Sequence, residues 1–377
     1  MSLAAEIEAL PSALKARLER RGFSAATLCG WAADRRSDDE RNRLTGDVRP
    51  VAPGVVSGLP PADSDAFSAL RRQGEEALAR GELAVCVLAG GMATRMGGVV
   101  KALLEVVAGR SFLDLRRHEA DALTVTYGAT TPLWLMTSEP TEAPIAAALA
   151  AGSGAASTQT FEQYVSLRLA ADPPSRLWRD GSGAPSVYAT GHGDLPDAIR
   201  GPGGPLASFV AGGGRHVWIS NVDNLGARVD AALLGAHIEA GRPVTVEVVD
   251  KREGDTGGGP VRFDERVVIC EHFRLPQNFP PASVRVFNTN TFLVDARALL
   301  ELDHAWTYLR VHKRVADRSA VQFERLLGEL TFALPSRYVR VPREGPSSRF
   351  VPVKTRADLR LAAPFARALL DRSTPAS

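Results

Sequence analysis

The densest chemistry in the chain lies in LAGGMATRMGG, residues 88–98. It follows the apolar run LAVCV at 83–87 and holds Gly90, Gly91, Gly97 and Gly98, with Arg95 between them and Lys101 three residues beyond. Glycines allow backbone to approach a ligand closely and to take positive φ. Exposed N–H groups in a turn leading into a helix cradle phosphate oxygens. Arg95 adds a planar bidentate donor, and Lys101 a point charge at the same place. The chemistry this spacing supports is phosphate binding at the end of a strand. Two familiar phosphate loops are excluded, because no Gly-Lys dipeptide follows the first glycines and the adjacent glycines break the GxGxxG spacing.

Asp223 is the second candidate. It follows the apolar strand VWISNV, where a short carboxylate faces a ligand rim and suits a divalent cation. Cys29, Cys86 and Cys270 lie far apart, with neither metal-ligand spacing nor a disulfide framework, as expected of a reducing compartment. The histidines show no paired ligand spacing, so no zinc site is expected. The 45 basic and 43 acidic residues balance too evenly to argue for nucleic acid or an acidic membrane as partner. The N-terminus has acidic residues early and no unbroken apolar core, unlike a signal peptide. No stretch reaches the roughly 20 apolar residues that span a bilayer. A cytoplasmic protein is the expectation.

The elements that must position these groups follow from periodicity. Residues 2–21 and 24–46 have helical spacing, 47–64 is a Pro/Gly-rich linker, and 65–80 is a helix ending at Gly81. Apolar strands are expected at 83–90, at 131–140, at the start of 216–226 and at 243–251, with a short strand, a turn and a long helix over 102–128 and helices at 141–152 and 228–242 between them. This alternation predicts an α/β, Rossmann-like fold with a mixed, mostly parallel sheet flanked by helices, preceded by N-terminal helices. Ligands of such sheets bind beyond the carboxyl ends of the strands. The expected divisions are a helical region and linker at 1–80, a catalytic domain at 81–357 and a terminal helix and tail at 358–377. The second half is less regular, with antiparallel strands around 260–276 and a strand at 284–295.

Several blocks carry a family resemblance. LAGGMATRMGG resembles the signature loop of nucleotidyltransferases that make nucleoside-diphosphate sugars. VVKALLEVVAGRSFLDL, LWLMTSEPT, FEQ, ATGHGDLPDAI, VWISNVDNLGARVD, EVVDKREGDTGGGPV, VFNTNTFLV and RFVPVKTRADLRL follow in the family's order over about 85–361. Together they resemble the UTP–glucose-1-phosphate uridylyltransferase (UDP-glucose pyrophosphorylase) family of the eukaryotic type. Val100 stands where the family usually has proline, and Asp250 where it has asparagine. The chain ends soon after the lysine block, so the family's C-terminal β-helix domain is expected to be missing and assembly to be monomeric or dimeric.

The resemblance implies transfer of uridylyl from UTP to a sugar 1-phosphate with Mg²⁺, and it implies roles. Arg95, Lys101 and Lys354 would act on the phosphates, with Lys354 delivered by a domain folding over the site. Asp223 would hold the metal. Backbone at Ala89, Gly90 and Gly91, with Gln163, would read uracil, near Met136 of the Met-x-Ser turn. Gly191 would let the base or ribose pack against backbone, and His192 would contact a phosphate or the sugar. Asn221, Lys251, Glu271, Asn288 and Asn290 would hold the sugar phosphate. Glucose 1-phosphate is the leading acceptor. The alternatives are another sugar 1-phosphate, as in UDP-sugar or UDP-N-acetylhexosamine pyrophosphorylases, or a regulatory protein that binds nucleotide sugars without turnover.

Overall fold

The computed structural model describes residues 2–93, 96–152, 157–171 and 175–371. Its centre is an eight-stranded sheet. In chain order the strands are β1 (Val56–Ser57), β2 (Leu83–Leu88), β3 (Leu133–Thr137), β4 (Thr158–Glu162), β5 (His216–Asn221), β6 (Val244–Asp250), β7 (Val286–Asp295) and β8 (Ser336–Arg340). The spatial order is β1-β8-β6-β7-β5-β2-β3-β4, parallel throughout except for β7, which runs antiparallel between β5 and β6. The mixed, mostly parallel α/β fold expected from the sequence is the observed one.

The strands are apolar runs because both faces are covered. Ala84, Cys86, Met136, Val217, Ile219 and Phe292 pack on one side with Leu195, Ile199 and Leu206 from short helices. Val85, Val87, Leu133 and Leu135 pack on the other with Phe112 and Leu113 of the helix Phe112–Tyr127. On that second side the helices Asp65–Ala79 and Ala231–Ala240 cross at a pair of glycines. A Cβ at Gly74 would overlap the Ala231 carbonyl, and one at Gly235 the Leu70 carbonyl, so the two backbones touch directly.

Some expected boundaries are corrected. Residues 2–21 form two helices, Leu3–Glu8 and Ser12–Arg20, because Pro11 cannot continue a helix begun before it. Residues 24–46 form Ala25–Ala33 and Asp38–Asn42, each restarted by a serine cap, Ser24 or Ser37. The 47–64 linker is pinned at two places: Val48–Arg49 pairs with Arg262 and Phe263, and β1 pairs with β8. The N-terminal helices bury Leu3, Ile7, Leu18 and Leu28 against Leu167, Leu169, Val321 and Phe323. The final helix is Arg356–Asp371. No helix among the described residues is long and apolar enough to cross a membrane.

The glycine loop does not lead into a helix. Met92–Ala93 pairs with Val99–Val100 as a small antiparallel hairpin, followed by a 3-10 turn at Lys101–Leu103. The helix that follows starts only at Phe112, after the short pair Glu105–Val107 and Arg110–Ser111. Any phosphate held here meets hairpin backbone, not a helix terminus. Gly97 and Gly98 take φ of 96° and 73°, which the hairpin's turn requires of them.

Candidate functional site

The carboxyl ends of β2, β3, β4, β5 and β6 open on one rim, and antiparallel β7 starts there. Gly90, Ser138, Gln163, Asp223 and Lys251 all lie just beyond these ends, and Asn288 lies near the start of β7, paired with Val248. The Gly90 carbonyl accepts from Ser138 Oγ at 2.8 Å. A Cβ on Gly90 would meet Gln163 Nε2 at 2.9 Å, so the glycine is what lets Gln163 lie over the loop. Gln163 is itself tied down by its N–H to Thr137 O at 2.9 Å. Ala89 is buried, its N–H donating to Met136 O at 2.8 Å. Gly91 holds the far end, accepting from Lys101 N at 3.1 Å. Arg95 lies outside the described residues.

At the centre, Lys101 Nζ sits 2.5 Å from Asp223 Oδ2. Their side chains are 19% and 12% exposed, so the pair is partly buried yet reachable from the rim. Asp223 opens the loop 222–229, which is held from below by Arg116. That arginine, 2% exposed, donates to the carbonyls of Ala227 at 3.0 Å and Asn224 at 2.5 Å.

The same loop grips the segment that carries Lys354. Leu225 N donates to Val351 O at 3.2 Å, Val351 N to Asn224 Oδ1 at 2.8 Å, and Val353 N to Asp223 O at 3.0 Å. Asn224 Nδ2 donates to Arg349 O at 3.2 Å. Gly226 has no room for a Cβ beside the Arg349 carbonyl group. No domain has to fold over to bring Lys354 in, because its segment is laid directly along the Asp223 loop. Lys354 is exposed, and its N–H is fixed by Asp358 Oδ2 at 2.9 Å. Arg349 anchors the segment through a buried bidentate pair with Glu247, both contacts at 2.7 Å.

At β7 the structure joins Asn221, Asn288 and Asn290. Asn290 takes φ 59° at a bulge where β7 slips against β6, and its Nδ2 donates to Asn221 Oδ1 at 3.0 Å. Asn288 Oδ1 accepts from Asn290 N at 3.0 Å, and Asn288 N donates to Gly258 O at 2.8 Å. Gly258 in turn abuts Cys270 O and Glu271 N, which brings the Glu271 backbone beside Asn288. Burial pushes the Glu271 carboxyl above its ordinary value, with Arg274 pulling it down. Lys251 is set at the end of β6, its N–H donating to Arg285 O at 2.9 Å. Asp250 faces away from this cluster, toward Arg340 at 3.5 Å.

One assignment needs correction. Met136 is 1% exposed and its side chain lies in the core under the loop with Phe161. It supports the rim by packing and has no surface to offer a nucleotide. Gly191 has φ 106°, and a Cβ there would sit 2.5 Å from Arg325 O. Its missing side chain makes room for the protein's own backbone at Arg325. His192 is half-buried, and its Nδ1 accepts from Leu327 N at 3.0 Å.

Sequence reading missed the supports: Ser138, Arg116, Asn224, Arg349 and the Arg325–Asp194 pair. Arg325 Nε lies 2.7 Å from Asp194 Oδ1, with both side chains buried. The partners of these residues are distant in sequence, so no local spacing marks them.

Among the described residues no group of three or more His, Cys, Asp or Glu side chains could hold a metal. Mg²⁺ does not require one, since it commonly takes one or two carboxylates and completes its shell with water and substrate phosphates. Asp223, a reachable carboxylate beside a phosphate-type loop, fits that demand.

The family described as UTP–glucose-1-phosphate uridylyltransferase matches residues 55–369. A relative with that name from Hordeum vulgare is 30% identical over 325 residues, covering 82% of this chain and 66% of its own length. One from Saccharomyces cerevisiae is 30% identical over 314 residues, covering 78% and 62%. The chain thus spans a little under two thirds of the length of these curated relatives. The fold is also that of a UDP-glucose pyrophosphorylase variant from Leishmania major, with TM-score 0.72, 23% identity and 94% and 79% of the two chains covered. A UDP-N-acetylglucosamine pyrophosphorylase from Trypanosoma brucei superposes with TM-score 0.69 at 18% identity, covering 98% and 84%. With the matched region running from β1 through the last helix, and with the glycine loop, the Asp223 loop and the Lys354 segment all inside it, the chain belongs to the UTP–glucose-1-phosphate uridylyltransferase family.

Proposed function

We propose that the chain transfers a uridylyl group from UTP to a hexose 1-phosphate, with glucose 1-phosphate the preferred acceptor. A phosphate oxygen of the sugar 1-phosphate bonds to the α-phosphorus of UTP. The bond from that phosphorus to the β-phosphate bridge breaks, and pyrophosphate leaves with the electron pair. No proton has to be removed from a sugar phosphate dianion, so the protein's work is to position two anions and offset their charge. The observation that carries this reading is the convergence of Lys101, Asp223 and the Lys354 segment beside the glycine loop.

Gln163 and the backbone at 89–91 are assigned to uracil, where amide donors and acceptors match its edge. Lys101 and Lys354 are assigned to the phosphates, with Arg95. The joined set of Asn221, Asn288 and Asn290, with Glu271, is assigned to sugar hydroxyls, and Lys251 to the sugar phosphate. Asp223 is the residue that would hold Mg²⁺, which when bound supplies charge neutralisation to the phosphates.

Pyrophosphate release measured over UTP, TTP and ATP with glucose, galactose and N-acetylglucosamine 1-phosphates tests the proposal. Turnover is expected with UTP and highest with glucose 1-phosphate. Equal rates for all hexoses would remove the glucose assignment. Binding of UTP without turnover on any acceptor would remove the enzymatic one.

A further inference from the structure

Lys354 reaches the rim on a strip of chain held by few bonds. β8 ends at Arg340, and Val341 N still donates to Val248 O at 2.9 Å. The chain then loops out over 342–348 and is closed at Arg349, whose N–H donates to Pro342 O at 2.8 Å. From there 349–353 runs antiparallel to the Asp223 loop, with Asn224 opposite Pro352. Two backbone bonds join them, Leu225 N to Val351 O and Val353 N to Asp223 O. A pairing this short fixes its register weakly by itself.

Two residues of the strip remove the alternatives. Pro352 has no N–H, so a slip by one residue in either direction would put it where Val351 or Val353 now donates. A slip by two residues keeps the donors in phase, and it is Arg349 that forbids it. Its Nε and Nη2 each lie 2.7 Å from a Glu247 carboxylate oxygen, and Nη2 also donates to Arg228 O at 2.7 Å. Its guanidinium lies over the Trp218 ring, 5.5 Å from the centroid. Arg349 therefore touches β6, β5 and the end of the Asp223 loop together, and both members of the ion pair are buried. Gly226 completes the fit, since a Cβ there would meet the Arg349 carbonyl carbon at 2.4 Å. A buried ion pair adds little stability over apolar side chains of the same volume, and its best-attested use is to fix register.

We propose that Arg349 and Glu247 are positioning residues for the transfer reaction: together they pin the register of 349–353 on the Asp223 loop, and so set where Lys354 stands relative to Asp223. Losing the pin would let the strip move by two residues, about 7 Å, and carry the ammonium off the phosphates. The effect on turnover rests on the proposed uridylyl transfer, whereas the register does not. The base side of the site does not depend on the pin. Gln163 is held by Thr137 O, and the backbone at 89–91 by Met136 O and Lys101 N, none of which Arg349 or Glu247 touches.

The test uses the whole protein with Glu247→Leu and Arg349→Met combined, which leaves neither buried charge unpaired. Its urea midpoint is expected near native. Its kcat is expected to fall about a hundredfold, as a misplacement of an ångström or more costs, with KM for UTP within about threefold of native. In a Lys354→Ala background the same two changes should cost less than about threefold, because they act through that lysine. A further loss of about a hundredfold there, or a native kcat in the double variant, overturns the proposal. Amide hydrogen exchange reads the register without activity. The Leu225, Val351 and Val353 amides should lose protection in the double variant while those of β5 keep theirs, and unchanged protection overturns the pin. Should the double variant not fold, Arg349→Lys keeps Glu247 compensated, but one ammonium cannot span both carboxylate oxygens and Arg228 O. Its kcat should fall about tenfold at native KM for UTP, and a native kcat overturns the proposal. Failure of native protein to turn over any sugar phosphate would defeat the functional reading, and the exchange result would decide the register alone.

Discussion

Lys101 and Asp223 hold each other at 2.5 Å, which makes either one alone a poor guide to the site. The lysine offsets a carboxylate that would otherwise sit partly buried and uncompensated. Lys101→Met should lower kcat by about a hundredfold or more, as loss of a charge-stabilising donor does, with a smaller change in UTP binding. Comparable losses in turnover and in calorimetric UTP affinity would make Lys101 a ground-state binder only. Next to it, Val100 takes φ −62° and ψ 116°, a proline-like conformation. Because Lys101 N donates to Gly91 O, Val100 occupies the position of the hairpin whose N–H is not used in the ladder. Val100→Pro should thus be tolerated, shifting stability by less than about 1 kcal/mol and in the favourable direction, as judged by urea denaturation. The departure at Val100 was legible in the sequence, but its harmlessness was not, since that depends on φ and on a neighbour's hydrogen bond. Residue types on the rim were legible because they end apolar runs. Their supports, such as Arg116 and Arg349, were not, because each answers carbonyls or a carboxylate more than 100 positions away.

At the level of elements, the buried strands announced themselves as unbroken apolar runs, and four of the parallel strands are where periodicity put them. The antiparallel insertion of β7 between β5 and β6 was not legible, because periodicity gives a strand and never its neighbours. The glycine loop was misread as a turn into a helix for a related reason. Gly97 and Gly98 suit a tight hairpin equally well, and only the pairing of Met92–Ala93 with Val99–Val100 decides between them. The helix crossing at Gly74 and Gly235 is the most exacting contact between elements. Gly235→Ala should cost about 3 kcal/mol, because the new methyl meets backbone that can yield only by moving a whole helix. A cost below about 1 kcal/mol, seen in chemical denaturation, would mean that the two helices slide apart easily.

For the whole molecule, the notable asymmetry is between the rim and the opposite end of the sheet. There, His216 and His237 meet edge-on with ring centroids 5.2 Å apart, and His237 Nδ1 lies 2.9 Å from Thr245 Oγ1. Burial pulls His237 from 6.5 down to about 3, and pulls His216 down as well. A depressed folded value means that the fold prefers the neutral ring. That preference is fully present above pH 6.5 and is lost as the pH falls toward 3. Between pH 7 and pH 5 His237 alone should remove about 2 kcal/mol of stability. Denaturation of native protein and His237→Asn at both pH values checks this, and parallel losses in the two would exonerate the histidine. The rim has a different dependence, on time. The Asp223 loop and the Lys354 segment are joined by bonds such as Asn224 to Arg349, 125 positions apart. Contacts of that span form late, since a long stretch of chain must be closed before they reward it. As the polypeptide leaves the ribosome, the glycine loop and Asp223 exist well before Lys354 does. A chain made only as far as Asp223 can build the floor of the site but not the catalyst, so the onset of its chemistry should wait for the Lys354 segment to arrive.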